Sequence, residues 1–476
     1  MAKLKGIIRD AQSGSEVAAK VHVLNSSGNF VHPADALLKV GPGEPSFYSP
    51  GTFEVNLPGG VTDIAVERGT EYEPLRQAIT MPSKGAIEID LELRRWADMP
   101  GRGWYPGNTH IHYNETEGQP DERLRLDPQV HDLSVTVVSI LQRGQIPYAS
   151  NQFPLGFMTD ISTAHHQVDI GEENRHNARH GNYGHVMFLH LRNLVEPVSR
   201  GDLVSHFDPD YPPLCFACDD AHRQGGLVLW CHNGNGMEAP VAAGLGKLDA
   251  FNLFDPCWKD AEYDMWYQLL NCGISLPAST GSDWFICSNN RVYVETEGDF
   301  NYESWLAGLQ AGRTFITNGP ALFLQVDGQG PGSRLDRGGV GQAQVEWQSH
   351  YPLTRIELVQ DGEVVGQRNL EAGESQEGHW QLDAGLGADG WIAARAWGVA
   401  RDSFAQPVYA HTSPVLVGSG RPGQRVGEAA GAFARTIEAS SRTIALYNRF
   451  TTDAQRQEVL HLFEEGRKVY ASLAAE

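Results

Sequence analysis

The sequence predicts a multidomain α/β plus β protein, in which a central α/β unit lies between two β-rich units and a helical tail follows. Three observations predict this class. The chain has 476 residues, and at roughly 100–200 residues per domain this length suits two to four domains. Apolar and polar residues alternate near both ends, whereas the middle mixes apolar runs with helical spacing. The last ~50 residues change to a helical period.

The first unit, residues 1–98, shows the strand period. Ile87, Ile89 and Leu91 alternate with acidic residues, and turn signals such as Pro58-Gly-Gly separate such runs. Alternation bounded by turns is typical of half-buried strands, and several short strands in series predict a small β-sandwich. No cluster of catalytic residue types falls in this unit.

The central unit, residues 99–320, carries short apolar runs that fit strands covered on both faces. These runs are Val135–Leu141, Val186–Leu189 and Gly226–Trp230. Helical spacing over Tyr302–Gln310 predicts a helix near the end of the unit. The alternation of the two patterns predicts an α/β sheet or barrel.

Residues 321–420 return to the strand period, with Leu322, Leu324 and Val326 in alternation, and predict a second β-sandwich. Residues 421–476 predict two amphipathic helices that pack back on the body. Their apolar positions are Phe433, Ile437, Ile444, Val459, Phe463, Tyr470 and Leu473.

Composition excludes several classes of partner. The formal net charge of −22 repels phosphate backbones, so we expect no nucleic-acid partner. No apolar run reaches the roughly 18 residues of a membrane span, so we expect no membrane partner. The start of the chain lacks the apolar core of a signal peptide, which favours a cytoplasmic location. We expect a small-molecule substrate, and the flanking units leave a homo-oligomer open.

All six cysteines fall between Cys215 and Cys287. A disulfide framework spreads its cysteines through small domains, so this clustering favours buried free thiols. The pair Cys215-Phe-Ala-Cys218 has no second pair at zinc-finger spacing, which argues against a metal or redox motif.

The strongest chemical motif is Gly107-Asn-Thr-His110-Ile-His112. On a strand, residues two apart point to the same face, so both imidazoles can reach one metal ion. Twelve of the 18 histidines lie between His110 and His232, which indicates one metal-rich region.

Further ligand types follow along the chain. The paired carboxylates of Glu172 and Glu173 could bridge ions or hold an attacking water. His185 stands at the mouth of one apolar strand and His232 ends another. Asp283, in Thr-Gly-Ser-Asp, adds a hard oxygen ligand.

Two arginines, Arg143 and Arg175, could neutralise an anionic transition state. Together with Glu172 they are the candidate catalytic residues. The sequence contains no nucleophile elbow, Walker A loop or dinucleotide fingerprint.

From Trp104 to Pro320 the motif order resembles the PHP (polymerase and histidinol phosphatase) superfamily, and within it the CehA/McbA-type metallohydrolases, relatives of carbaryl hydrolase. The motifs that carry the resemblance include the H-x-H, Gly171-Glu-Glu-Asn-Arg, Gly184-His185 and Gly281-Ser-Asp. The first unit is similar to carboxypeptidase-regulatory-like, transthyretin-like domains.

The resemblance implies a distorted (β/α)7 barrel with metals at the carboxyl ends of its strands. It implies that His110, His112 and Asp283 hold one metal, while Glu173 bridges to a second position. His185 would serve that second position, and His232 would complete the site or face the substrate. Glu172 is the alternative register for the bridging carboxylate.

Two departures from the family pattern reduce the expected number of metals. No Asp-His pair follows the second strand, where Ser139-Ile-Leu-Gln-Arg stands, and no histidine follows Asp283 by two residues. We therefore expect one or two divalent ions, with Zn favoured and Fe or Mn compatible with the same donors.

The expected reaction is hydrolysis of an ester, carbamate or amide-like bond by water that the metal activates. A PHP-type phosphoesterase and a catalytically inactive protein that binds carbohydrate or protein are the alternatives.

Overall fold

The structure is a computed structural model that describes residues 1–142, 148–199, 201–202, 207–232, 236–255, 260–284, 289–336, 339–402 and 404–475. Its first unit consists of seven strands in two sheets. They are β1 (Ala2–Asp10), β2 (Ala19–Leu24), β3 (Phe47–Ser49), β4 (Thr52–Leu57), β5 (Gly60–Glu67), β6 (Leu75–Met81) and β7 (Ala86–Leu93). The sheets have the orders β4-β1-β7 and β3-β2-β5-β6. Alternate residues face the shared core, as in β4, where Phe53, Val55 and Leu57 are buried.

The central unit contains eleven of the described strands and helices α1–α5. The strands are β8 (Trp104–His112), β9 (Val135–Leu141), β10 (Gly156–Phe157), β11 (Gln167–His176), β12 (Gly184–Leu189), β13 (Leu227–Trp230), β14 (Ala250–Asn252), β15 (Ala278–Ser279), β16 (Asp283–Trp284), β17 (Arg291–Glu295) and β18 (Thr314–Thr317). The helices are α1 (Pro120–Val130), α2 (Leu214–Gln224), α3 (Ala239–Gly244), α4 (Asp260–Asn271) and α5 (Tyr302–Gln310).

These strands form a large curled sheet. β8 pairs in parallel with β9, and β9 pairs in parallel with β11. At the other end, β16 also pairs in parallel with β8, so the sheet turns back toward its first strand. The curvature brings the carboxyl ends of β8 and β13 and the start of β16 to one region, where the candidate functional residues lie.

One pairing departs from a regular alternation of strands and helices. β12 runs antiparallel to both of its neighbours, β11 and β13. Only residues 177–183 connect β11 to β12, and a parallel connection needs a crossover of about a dozen residues or more. The short loop therefore forces a hairpin at this position.

The second β-rich unit begins at β19 (Ala321–Val326). Its other strands are β20 (Arg334–Leu335), β21 (Gly339–Gln348), β22 (Leu353–Gln360), β23 (Glu363–Asn369), β24 (Glu377–Leu386), β25 (Gly390–Arg401), β26 (Pro407–Thr412) and β27 (Val415–Val417). One sheet has the order β19-β21-β24. The other continues the central sheet, because β26 pairs antiparallel with β18.

The predicted helical tail is confirmed as two helices, α6 (Gly423–Tyr447) and α7 (Asp453–Ala475). All seven apolar residues that predicted it are buried. Tyr470 donates its hydroxyl to the carbonyl of Pro240 at 2.7 Å, so α7 is anchored to α3. Among the described residues, no helix has both the length and the apolar character to cross a membrane.

Four cysteines lie in the described part of the chain: Cys215, Cys218, Cys231 and Cys272. All four are buried and carry free thiols. Burial raises the pKa of Cys215 and Cys218 well above its usual range, which fits apolar packing rather than redox chemistry. Cys257 and Cys287 lie outside the described residues.

Candidate metal centre

The candidate metal centre consists of His110, His112, Glu173 and Asp283, with His185 and His232 beside them. Its first two residues lie at the end of β8. His110 and His112 project from one face of this strand, and their Nε2 atoms are 3.1 Å apart. Both side chains are fully buried. The H-x-H spacing therefore brings two imidazole nitrogens to one point, as strand geometry requires.

Glu172 and Glu173 lie next to each other on β11 and face opposite sides of the sheet. Glu173 points to the histidines, with Oε2 2.7 Å from His112 Nε2 and 3.3 Å from His110 Nε2. Glu172 instead accepts hydrogen bonds from Gln142 Nε2 and from the backbone N–H of Val195, both at 2.9 Å. The structure thus places Glu173 in the centre and Glu172 outside it.

The Gly281-Ser-Asp segment brings Asp283 to the same point. A Cβ on Gly281 would lie 2.5 Å from His110 Cβ and 2.8 Å from its backbone nitrogen, so only glycine allows this close approach. Ser282 receives a hydrogen bond from Asn108 Nδ2 at 2.9 Å, which holds the segment against β8. Asp283 has a φ of 54° and places Oδ1 3.5 Å from His110 Nε2.

His185 and His232 approach the other side of the Glu173 carboxylate. His185 Nδ1 is 3.2 Å and His232 Nε2 is 3.7 Å from Glu173 Oε1. His232 Nε2 is also 3.6 Å from Asp283 Oδ2. These two imidazoles are 12% and 11% exposed, whereas His110, His112 and Glu173 are fully enclosed. His185 and His232 are therefore the least buried of these donors, and we call them the rim histidines.

Hydrogen bonds determine which imidazole nitrogens can bind a cation. Three outward nitrogens face oxygens that only accept: His110 Nδ1 faces Asp255 Oδ2 at 2.7 Å, His112 Nδ1 faces Ser139 O at 3.1 Å and His185 Nε2 faces Asn177 Oδ1 at 2.7 Å. In the neutral imidazole the outward nitrogen must then carry the hydrogen, which leaves a lone pair on the inward one. Three inward lone pairs therefore surround two carboxylates.

Two inward acceptors have no donor among the described residues. Glu173 Oε1 and His185 Nδ1 are buried and lack a hydrogen-bond partner there, although they face each other at 3.2 Å. Two buried acceptors at this distance repel unless a cation or a proton lies between them. The site is therefore arranged for positive charge.

The donor spacing suits a metal ion. Two donors that each lie about 2.1 Å from a tetrahedral ion are roughly 3.4 Å apart. His110, His112, Glu173 and Asp283 offer donor atoms within 4.8 Å of one another, so this buried cluster could hold a metal ion. A second set with the same spacing combines His110 and Glu173 with Cys231 and His232.

The directions of the pKa shifts follow from the charges and the burial around each group. Burial disfavours the charged form of His110 and so lowers its pKa. The carboxylates of Asp255, Glu173 and Asp283 outweigh this effect and raise the pKa of His110 well above its usual range. In the same way, Arg175 and His110 overcome burial and hold the pKa of Glu173 well below its usual range. Burial lowers the pKa of His185 to about 4, so this imidazole is neutral near pH 7.

Of the two candidate arginines, Arg175 reaches the centre. Its Nε is 2.5 Å from Glu173 Oε2, and its Nη2 is 3.1 Å from Asp283 Oδ1 and 3.2 Å from His112 Nε2. Arg143 lies outside the described residues.

Two residues of the centre were not predicted from the sequence. Asp255 holds His110 from behind, and Cys231 lies beside His232 in the second donor set. A carboxylate three residues after β14 and a thiol at the end of β13 were the available signals, because strand ends carry the sites of α/β folds.

A comparison of the chain with models of known protein families finds no match, and neither does a comparison with curated proteins.

Proposed function

We propose that the protein is a metal-dependent hydrolase that cleaves an ester, carbamate or amide-like bond. The observation that carries the proposal is the buried cluster of imidazole and carboxylate donors of His110, His112, Glu173 and Asp283, whose donor atoms lie within 4.8 Å of one another. The donor types, imidazole and carboxylate, favour Zn, and Fe or Mn would accept the same ligands.

The motif order supports a PHP-type barrel of the CehA/McbA kind for the central unit. The curled sheet, in which β16 pairs back onto β8, is compatible with that scaffold. In this proposal the N-terminal sandwich, the second β-rich unit and the helical tail support the barrel from outside.

A divalent ion held here would activate water and polarise the bond to be cleaved. The chain's own residues supply the rest. Asp255 and the Ser139 carbonyl orient the two buried imidazoles of β8. His185 and His232 are the least buried of the donors, so in this proposal the substrate approaches from their side. Arg175 places a fixed positive charge beside the reacting centre, where negative charge develops during carbonyl attack.

Charge favours a neutral substrate over a phosphate. Three buried carboxylates, from Glu173, Asp283 and Asp255, surround the site, and Arg175 pairs with the first two of them. A dianionic phosphoester gains little attraction from such a site. Esters and carbamates carry no charge at the reacting group, so their binding is not penalised.

The test combines elemental analysis with hydrolysis of three substrates that share a 4-nitrophenol leaving group: the acetate, the N-methylcarbamate and the phosphate. We expect the wild type to contain Zn, Fe or Mn and to cleave the acetate or the carbamate. His110→Ala should lose the metal and at least ~100-fold of the rate. His165→Ala, on an exposed loop, is the control and should change neither.

Faster cleavage of the phosphate would favour a phosphoesterase instead. A wild-type protein that holds no metal after reconstitution would contradict the proposal and favour the binding-protein alternative.

A further inference from the structure

The guanidinium of Arg175 contacts atoms of the centre that could also bind a metal ion. It follows Glu173 by two residues on β11, so strand geometry sends both side chains to the same face. Its guanidinium contacts Glu173 Oε2, Asp283 Oδ1 and His112 Nε2 at 2.5–3.2 Å. Three atoms of the His110, His112, Glu173 and Asp283 cluster therefore already face a cation.

The two carboxylates divide their oxygens between two directions. Glu173 directs Oε2 to the guanidinium and Oε1 to His185 and His232. Asp283 likewise directs Oδ1 to the guanidinium and Oδ2 to His232. The centre thus has two sides, one next to Arg175 and one next to the rim histidines.

The charges of the described residues balance with a single metal ion. The carboxylates of Glu173, Asp283 and Asp255 are offset by one guanidinium and one divalent ion. A second divalent ion would leave excess positive charge in a buried site, and would also require the guanidinium to move.

We propose that Arg175 takes the place of a second metal, so that the centre binds one divalent ion. That ion lies on the side of the two carboxylates that faces away from Arg175, where Glu173 Oε1 faces His185 Nδ1 and His232 Nε2, and Asp283 Oδ2 faces His232 Nε2. This inference rests on the proposed metal-dependent function and gives the number of ions at that site.

The test counts bound ions in Arg175 variants. Wild type, Arg175→Gln and Arg175→Lys are loaded with excess Mn²⁺, dialysed and analysed for metal and for electron paramagnetic resonance. We expect about one ion in the wild type and in Arg175→Lys, which keeps the charge, and about two in Arg175→Gln. The spectrum should change from isolated Mn²⁺ to a spin-coupled pair in Arg175→Gln alone.

Arg123→Gln is the matched control. Arg123 is also buried and paired with carboxylates, those of Glu117 and Asp127, but it lies outside the centre. Its variant should bind about one ion, like the wild type. If Arg175→Gln does not fold, as circular dichroism would show, Arg175→Met replaces it with a side chain of similar length.

Two ions in the wild type, or one ion in the folded neutral variants, would overturn the inference and leave the proposed hydrolase intact. A wild type without any bound ion would overturn both, and this outcome is distinguished from the others by the metal count alone.

Discussion

Glu172 and Glu173 show how one position along a strand decides between structure and chemistry. Both carboxylates are buried, yet the alternation of β11 sends them to opposite faces. Glu172 accepts hydrogen bonds from two neutral N–H groups, whereas Glu173 contacts imidazoles and a guanidinium. The sequence indicated a functional carboxylate pair, but the strand register, which depends on pairing with β9 and β12, could not be derived from it.

The first prediction concerns this pair. Glu173→Gln should remove the metal and reduce the rate of hydrolysis more than ~100-fold, because the substitution replaces a negatively charged carboxylate ligand by a neutral amide. Glu172→Gln should keep the metal, since its carbonyl oxygen can still accept one of the two hydrogen bonds. Metal content and melting temperature of both variants check this. Retention of metal in Glu173→Gln, or its loss in Glu172→Gln, would contradict the geometry.

Gly281 was part of a predicted motif, but only the three-dimensional structure shows why this position requires glycine. The approach of its backbone to His110 leaves no room for a Cβ. Asp255 and Cys231 were missed for a related reason, because their partner His110 is more than a hundred residues away along the chain. Strand spacing predicted the H-x-H pair, whereas contacts between distant segments had no local signal.

At the scale of elements, helix α2 is held at both ends by residues from other segments. Glu238, from the loop before α3, accepts hydrogen bonds from the backbone N–H groups of Leu214 and Cys215 at 2.8 Å. It therefore caps a helix whose preceding residue, Pro213, provides no side-chain cap. In the last turn, His222 Nε2 lies 2.8 Å from Asp249 Oδ2.

The second prediction is a pH dependence of stability at His222. The hydrogen bond to Asp249 raises the pKa of His222 above its usual range. A raised pKa in the folded state adds stability that is complete below about pH 6.5 and is lost as the pH rises through the folded-state pKa. Because this imidazole is one-third exposed, we expect only about 0.5–1 kcal/mol.

Urea unfolding of wild type and His222→Gln, measured from pH 5.5 to 9, checks this. The variant keeps a neutral hydrogen-bond donor, so the two free energies of unfolding should converge at high pH and differ at low pH. His165→Gln serves as the control, and its free energy of unfolding should change with pH in the same way as that of the wild type. A difference that grows with rising pH would contradict the assigned sign.

The β11–β12 hairpin shows that a hydrophobic pattern can predict a strand without predicting its direction. The apolar run of β12 was predicted as a strand, and the structure has a strand there. Its direction was not predictable from that run, because a fully buried strand has the same composition in parallel and antiparallel sheets. The length of the connection to β11 was the informative signal.

At the scale of the whole molecule, the second β-rich unit is joined to the central sheet by shared strands and side chains. Besides the β18–β26 pairing, Ser413 Oγ accepts a hydrogen bond from the backbone N–H of Ala278 at 2.8 Å. Trp391 donates to Asn271 Oδ1 at 2.7 Å, which ties β25 to α4. A change of pattern near residue 320 was visible in the sequence, whereas this continuity of hydrogen bonds across it was not.

The third prediction follows from that continuity. A chain that ends at residue 320 would expose the edge of β18 and the apolar contacts of α4, so we expect it to aggregate and to bind no metal. Size-exclusion chromatography and metal analysis check this.

The control is the full chain with a protease site inserted at Gly373, in an exposed turn of the same unit. After cleavage it should remain one particle with its metal. A monomeric, metal-bound chain of 320 residues would show that the two units fold independently.

The ion pairs of Arg175 also bear on how the newly made chain matures. Small metal domains often stay unfolded until their ion arrives, because the free energy of metal binding is what stabilises their fold. Here a guanidinium already joins the carboxylates of Glu173 and Asp283. Under the proposed function, we therefore expect the curled sheet to close during synthesis before a metal ion binds. Metal loading would then be a separate, later event, and the ions available around the finished protein would decide which one it binds.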